Sequence, residues 1–423
     1  MRPSFRHLHA MFLTLLLLRF VVTPVLMQLA GVDFFYSTHA PVQPEEYGDA
    51  VLFMSFEGCA SGFLVLAVTC WLAPNGARDE SPDAPVERKS RQTTFFLGAF
   101  VVASSPLFLL SAVRERYSFF TAEITTTARN LIASYTSGYD SLASLSNLAR
   151  MLAPAVVISW AVQAYRRMPA RHYPMVAMSV IVALNLVYVA TSRASFFIPL
   201  AASAVALWIL MPRSRKITLL MLGGGIVLAT VTVTIQKSGQ GGISASAGWG
   251  ANYLSTYLMG PQEYAVGLRS IGVYGSYASP STLINDLIGN VPGISAYADL
   301  TDRTSQFYNW SYLDRSSIVG GGFIIPASIQ TAFYAGILLA PVGLVVGILL
   351  AAIGQRAVID PERSPAAVYL GSFALVSGTL FHANSISTLI ALISFPLIPG
   401  MILAHLDSTS NRWARSAHKV ARS

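Results

Sequence analysis

Long apolar runs alternate with short polar clusters along the whole chain. A helix crossing the hydrocarbon layer, ~30 Å thick, needs about 20 mostly apolar residues. Such runs recur near 9–31, 49–73, 94–113, 150–165, 173–190, 194–211, 217–235, 327–353, 366–383 and 386–404, which predicts ten spans. The fifth and sixth are short and joined only by "ATSRAS". Segment 118–149 also has helical spacing, but Glu123, Arg129 and Asp140 among many Ser and Thr place that helix outside the bilayer.

Composition agrees with the pattern. Hydrophobic residues make up 53% of the 423 and charged residues 11%, against about a quarter charged in a soluble chain. The net charge of +8 reads as topology rather than as nucleic-acid binding, because Lys and Arg gather in cytoplasmic loops. With the N-terminus inside, every inner segment is basic, and together they hold 18 of the 28 Lys and Arg. The outer segments hold nine in a greater length, and Arg19 lies within the first span. Both termini are therefore expected in the cytoplasm. The first span begins "MRPSFRH", but its apolar stretch is too long for a signal peptide and no A-x-A site closes it. Cys59 and Cys70, in one apolar run, are expected to pack in the core rather than form a disulfide or metal site.

The loops are uneven, and function concentrates in long ones. The reading divides the chain into spans one to seven over 1–235 with an outer loop at 114–149, a large outer loop at 236–326, spans eight to ten over 327–404, and a basic tail at 405–423. The large loop contains Trp249, Trp310 and eight tyrosines with few charges. An amphipathic helix from Asn252 should break at Gly260-Pro261 and resume, and a second from Ser279 should stop near Asn290 and Pro292. This predicts a folded aromatic cap. Aromatic faces stack on sugar C–H faces while Tyr hydroxyls donate hydrogen bonds, so Tyr253, Tyr257, Tyr264, Trp310 and Tyr334 are candidate sugar contacts. The alternative is that tyrosines sit at the membrane–water boundary.

A charge near the membrane is costly and usually has a partner or a task. Arg193, in the turn between two hydrophobic arms, is a candidate to grip phosphate through its bidentate fork. Arg269, Arg303 and Arg315 in the large loop are further candidates, although Asp302-Arg303 and Asp314-Arg315 also read as local salt bridges. His382, where the ninth span meets the outer face, could take a proton from a hydroxyl. Glu263 is the best placed alternative base, with Asp286, Asp299, Asp302 and Asp314 behind it. Arg19 and Glu57 lie within the first two spans, at depths that differ by ~12 Å on a helical rise of 1.5 Å per residue, and receive no role. The sequence has no G-x-x-x-x-G-K-[ST], H-E-x-x-H or G-x-S-x-G motif and no close outer Asp pair. The chemistry is expected to need no cofactor, nucleotide or metal.

Thr191-Ser192-Arg193 between two mid-chain spans, the "GGGFIIPASIQTAFYAGI" approach to the next span with Tyr334 and Gly336, and "YLSTYLMGPQEYAVG" together resemble the bacterial oligosaccharide repeat-unit polymerases of O-antigen and exopolysaccharide synthesis. The resemblance covers about residues 170–400. It implies an all-α polytopic membrane protein of GT-C-like architecture, with about ten transmembrane helices and a periplasmic cap, in the bacterial inner membrane. It also implies a donor glycan on undecaprenyl pyrophosphate, attacked by a sugar hydroxyl of a second lipid-linked unit. Arginines would stabilise the pyrophosphate leaving group, and Gly320-Gly321-Gly322 would let the cap swing. Membrane lipids, a chain-length regulator and a flippase are the implied partners, and no nucleic acid. The related ligases carry a histidine in the large loop, which is absent here; a ligase, another lipid-linked glycosyltransferase or a transporter are the alternatives.

Overall fold

A computed structural model describes residues 6–29, 42–72, 94–109, 140–168, 172–187, 193–225, 258–289, 301–313, 325–359, 364–383 and 385–407, with isolated positions between them. Every regular element among them is helical. In chain order these are α1 (Arg6–Leu17), α2 (Thr23–Leu29), α3 (Pro44–Leu72), α4 (Thr94–Leu109) and α5 (Asp140–Arg167). There follow α6 (His172–Val187), α7 (Arg193–Leu210), α8 (Pro261–Tyr274), α9 (Pro280–Ile288) and α10 (Thr304–Leu313). The last are α11 (Ala327–Ala335), α12 (Leu344–Ile359), α13 (Pro365–Thr379) and α14 (Ile386–Leu392). The chain divides into two compact units.

The first unit comprises residues 1–75, 243–352 and 377–392. A π turn, Leu18–Val22, joins α1 to α2. Along α3 one stripe is buried (Ala50, Phe53, Met54, Glu57, Ser61, Val65 and Val68), whereas Leu52, Phe56, Phe63 and Trp71 are exposed. The buried stripe mixes apolar side chains with the charged Glu57 and the hydroxyl of Ser61, whereas large apolar side chains remain on the exposed side, as a helix with lipid contact permits. Cys59 and Cys70 lie free on that exposed surface, which corrects the expectation of core packing. The run from Asn252 breaks as anticipated, with Gly260 as N-cap of α8 and Pro261 in its first turn, where its missing N–H costs nothing. Helix α9 begins at a Ser279–Thr282 capping box. Both α8 and α11 pack on α10, and α8 also packs on α3.

Gly336 ends α11 at φ +80°, a conformation open to glycine and strained for other residues. The chain reverses there, so Ile337–Gly343 lies back against α11. The single eighth span expected over 327–353 is therefore two elements. Farther on, Gly378 on α13 sits so close to the Gly347 carbonyl of α12 that a Cβ would collide with it.

The second unit comprises residues 76–242, 353–376 and 393–423. Helix α5 packs against α4, α6 and α7. It merges the end of the segment expected outside the bilayer with the fourth predicted span. The buried Asp407 carboxylate accepts from the Phe95 amide at 3.0 Å, capping α4 from a distant part of the chain. Tyr369 donates to the Met151 carbonyl at 3.1 Å.

Ten spans and a GT-C-like architecture do not stand. Among the described residues three helices are long and apolar enough to cross a membrane, Arg6–Met27, Pro44–Leu72 and Ile337–Ile359. A fourth is added if Phe197–Leu210 and Pro212–Gly225, bent by 119°, count as one. Hydropathy sums apolar residues without regard to helix continuity. The helices over three other predicted spans are only 16, 16 and 15 residues long (α4, α6 and α13), or about 22–24 Å at 1.5 Å per residue.

Candidate functional site

Two buried polar clusters in the first unit hold the densest chemistry among the described residues. The first forms around Arg19, which the π turn carries into the interior with no exposure. Its guanidinium donates to Glu57 Oε1 at 3.1 Å and to the Tyr264 hydroxyl at 2.7 Å. It also lies over the rings of Phe20 and Tyr264, at 5.8 and 5.6 Å. Glu57 Oε2 accepts from the Tyr264 hydroxyl and, at 2.7 Å, from Ser328. All four side chains are fully buried. Four segments, the α1–α2 π turn, α3, α8 and α11, are thereby tied at one point by a compensated ion pair.

The second cluster joins α9, α10 and α11. Asp286 is buried on α9 and accepts from the Tyr334 hydroxyl at 2.6 Å, from the Thr304 hydroxyl, and from Arg303 Nε at 3.5 Å. The Thr304 amide approaches the same carboxylate at 3.4 Å, so the negative charge lies at the N-terminus of α10, where the helix dipole favours it. Arg303 lies over Gly289, at the C-terminal end of α9, where a cation is favoured for the mirror-image reason. Burial, and then the neighbouring Asp286 charge, push the Tyr334 phenol up, so it remains a donor. Beside this cluster Asp302 accepts from the hydroxyls of Ser281, at 2.6 Å, and Thr282. Asn285 donates to its carboxylate at 3.2 Å.

An aromatic group completes the layer. Tyr274 stacks on Phe307 at 5.9 Å, Trp310 lies 5.6 Å from both, and Phe333 lies 6.2 Å from Phe307. Tyr274 and Trp310 are half-buried.

The predicted site residues fall in different settings. Tyr264 and Glu263 are buried, the former wholly committed to the Arg19–Glu57 pair. Arg269 donates twice to Glu46, at 2.8 and 2.5 Å, and Arg303 is paired with Asp286. Tyr334 spends its hydroxyl on Asp286, and Trp310 belongs to the aromatic group. Arg193 is the first residue of α7 and His382 lies in the short 3-10 turn Leu380–Ala383; their side chains lie outside the described residues. So do Arg315, Tyr253, Tyr257 and Gly320-Gly321-Gly322. The central part of Arg19 and Glu57 was missed. Their presence inside apolar runs was the available signal, and the depth argument set it aside. Among the described residues no three His, Cys, Asp or Glu side chains come together as a metal would require. No family model, no curated protein and no solved structure matches the chain.

Proposed function

We propose that the chain is a membrane glycosyltransferase that joins oligosaccharide repeat units carried on undecaprenyl pyrophosphate, at the periplasmic face of the bacterial inner membrane. The observation that carries this reading is the layer formed by α8–α11. It is rich in hydroxyl and aromatic groups and built directly on α3, one of the apolar helices long enough to cross a membrane. A lipid-linked saccharide requires that adjacency, since its isoprenoid favours apolar helices while its sugars favour stacking faces and oriented hydroxyls. Arg269 and Arg303 already neutralise carboxylates. This leaves Arg193 and Arg315 as the guanidinium candidates for the charge that develops on the departing pyrophosphate.

Single Arg193→Ala and Arg315→Ala variants test the reading in a strain whose surface polysaccharide depends on this chain. With protein levels held equal, the expected result is loss of long glycan and accumulation of single repeat units. Full-length polymer from both variants overturns the assignment of these residues. Absence of any repeat unit outside the inner membrane favours a transporter instead.

A further inference from the structure

Helix α9 is amphipathic in the reverse sense. Its polar positions Thr282, Asn285 and Asp286 are buried, whereas Leu283, Ile284 and Leu287 are 38, 55 and 36% exposed. With Pro280, also exposed, these residues follow the spacing i, i+3, i+4, i+7 and form one stripe. The polarity has a local cause. The polar partners of α9 are Asp302, Arg303, Thr304 and Tyr334, and α9 also packs against α14. Val273, Tyr277, Ile294 and Tyr297, on either side of α9 in sequence, are exposed as well.

We infer that this stripe is a docking surface for the phospholipid leaflet, and that α9 lies in the interface with its apolar side toward the acyl chains. Three observations commit the surface to lipid. Between Val273 and Tyr297 the sequence carries one charge, Asp286, and that charge is buried; the exposed Asp299 and half-buried Asp302 bond the polar positions of α9, so the apolar stripe itself carries no charge. Secondly, α9 is bonded to the element that precedes a helix long and apolar enough to cross a membrane. Tyr334 ties α9 to the last turn of α11, and just beyond it Ile337, Leu338 and Leu339, 48, 83 and 54% exposed, begin the apolar helix Ile337–Ile359. Thirdly, exposed Tyr277 and Tyr297 are the residue type that settles at the level of the headgroups. An apolar stripe opposite a polar side is how a helix lies in the membrane plane. The inference stands whether or not the chain proves to be a polymerase.

The test is the depth of a fluorophore on the full-length chain, reconstituted in phosphatidylethanolamine–phosphatidylglycerol vesicles. An environment-sensitive dye is attached at Ile284→Cys in a Cys59→Ser, Cys70→Ser background. A second preparation carries it on the native Cys59 with Cys70→Ser, as a reference on the exposed side of α3. The dye at position 284 should lose fluorescence to a nitroxide near the headgroup end of the acyl chain more than to one near the methyl end. Aqueous iodide should quench it little. At Cys59 the deeper nitroxide should dominate. Strong iodide quenching at 284 would overturn the inference by placing the stripe in water. Protection from all three quenchers would overturn it in favour of a protein cover, either a second copy or another chain. Because Ile284 lies outside the packed interior, labelling should leave thermal stability unchanged, and a lowered midpoint would itself contradict the assigned exposure.

Discussion

Replacing Glu57 by Leu isolates the energetics of the buried junction. The carboxylate accepts from Arg19 at 3.1 Å and Ser328 at 2.7 Å, besides Tyr264, and neither member of the ion pair has any exposed side-chain surface. Removing it leaves the guanidinium buried with the Tyr264 hydroxyl as its one remaining hydrogen-bond partner among the described residues. Breaking a buried pair from one side costs about 3–5 kcal/mol, because the surviving charge is stranded in a low-dielectric interior. Glu57→Leu is therefore expected to destabilise the chain by about that amount. Arg19→Met alone should cost less, since Tyr264 and Ser328 can still donate to the carboxylate. The combined Arg19→Met, Glu57→Leu variant exchanges the pair for apolar groups of similar volume, a change that is often neutral. It should recover most of the loss. Equilibrium unfolding of the purified chain in mixed micelles reads all four corners of the cycle. A coupling of at least about 2 kcal/mol is expected for side chains in direct contact. A double variant as unstable as the two single losses added together would refute the reasoning, as would a Glu57→Leu loss below about 1 kcal/mol.

Three further outcomes follow from other contacts. Tyr334→Phe removes a 2.6 Å hydrogen bond to the buried Asp286 and should cost about 1–3 kcal/mol, read by the same unfolding measurement. Gly336→Ala places a Cβ at φ +80° and should cost about 1–3 kcal/mol, seen as a lowered midpoint. The Asp299 carboxyl is held below its ordinary range chiefly by the Thr301 hydroxyl, with the Thr301 amide adding to it. Its stabilisation is present above the unfolded value of about 4 and is lost as pH falls through the lowered native value. A Thr301→Val variant should move the Asp299 titration upward, as followed by carboxyl NMR.

Helix boundaries in the large loop were legible because their signals are local. Gly260-Pro261 starts α8 by backbone restriction alone, and Ser279-Pro280 with Thr282 starts α9 by hydrogen bonds within four residues. The ion pair was not legible, although both partners were visible as charges in apolar runs. Counting 1.5 Å per residue from each end assumes upright, regular helices. The Leu18–Val22 π turn breaks that assumption at Arg19 itself, and the third and fourth partners, Tyr264 and Ser328, lie more than 200 residues away from it in sequence. The reversal at Gly336 escaped for a different reason. Hydropathy is blind to φ, so a glycine within an apolar run reads as filler until its conformation is seen.

Helix α9 shows where the usual rule of burial stops applying. Periodicity alone would turn Leu283, Ile284 and Leu287 inward, because in water that placement removes the most apolar area. The rule depends on the solvent. Where one side of a helix meets hydrocarbon, the free energy of exposing a leucine there is nearly that of burying it, and unpaired polar groups become the dominant cost. The partners Arg303, Thr304 and Tyr334, which bond the Asp286 carboxylate, then favour this orientation, together with the packing of α14. The same preference operates on α3, where Glu57 and Ser61 are buried while Phe56 and Phe63 face outward. Helix α3 differs from α9 in also burying Phe53, Met54, Val65 and Val68, so the two share large exposed apolar side chains and buried polar groups rather than a full inversion. The physical reason to place α9 against lipid is therefore its own arrangement, with Asp286 bonded on one side and Leu283, Ile284 and Leu287 exposed on the other.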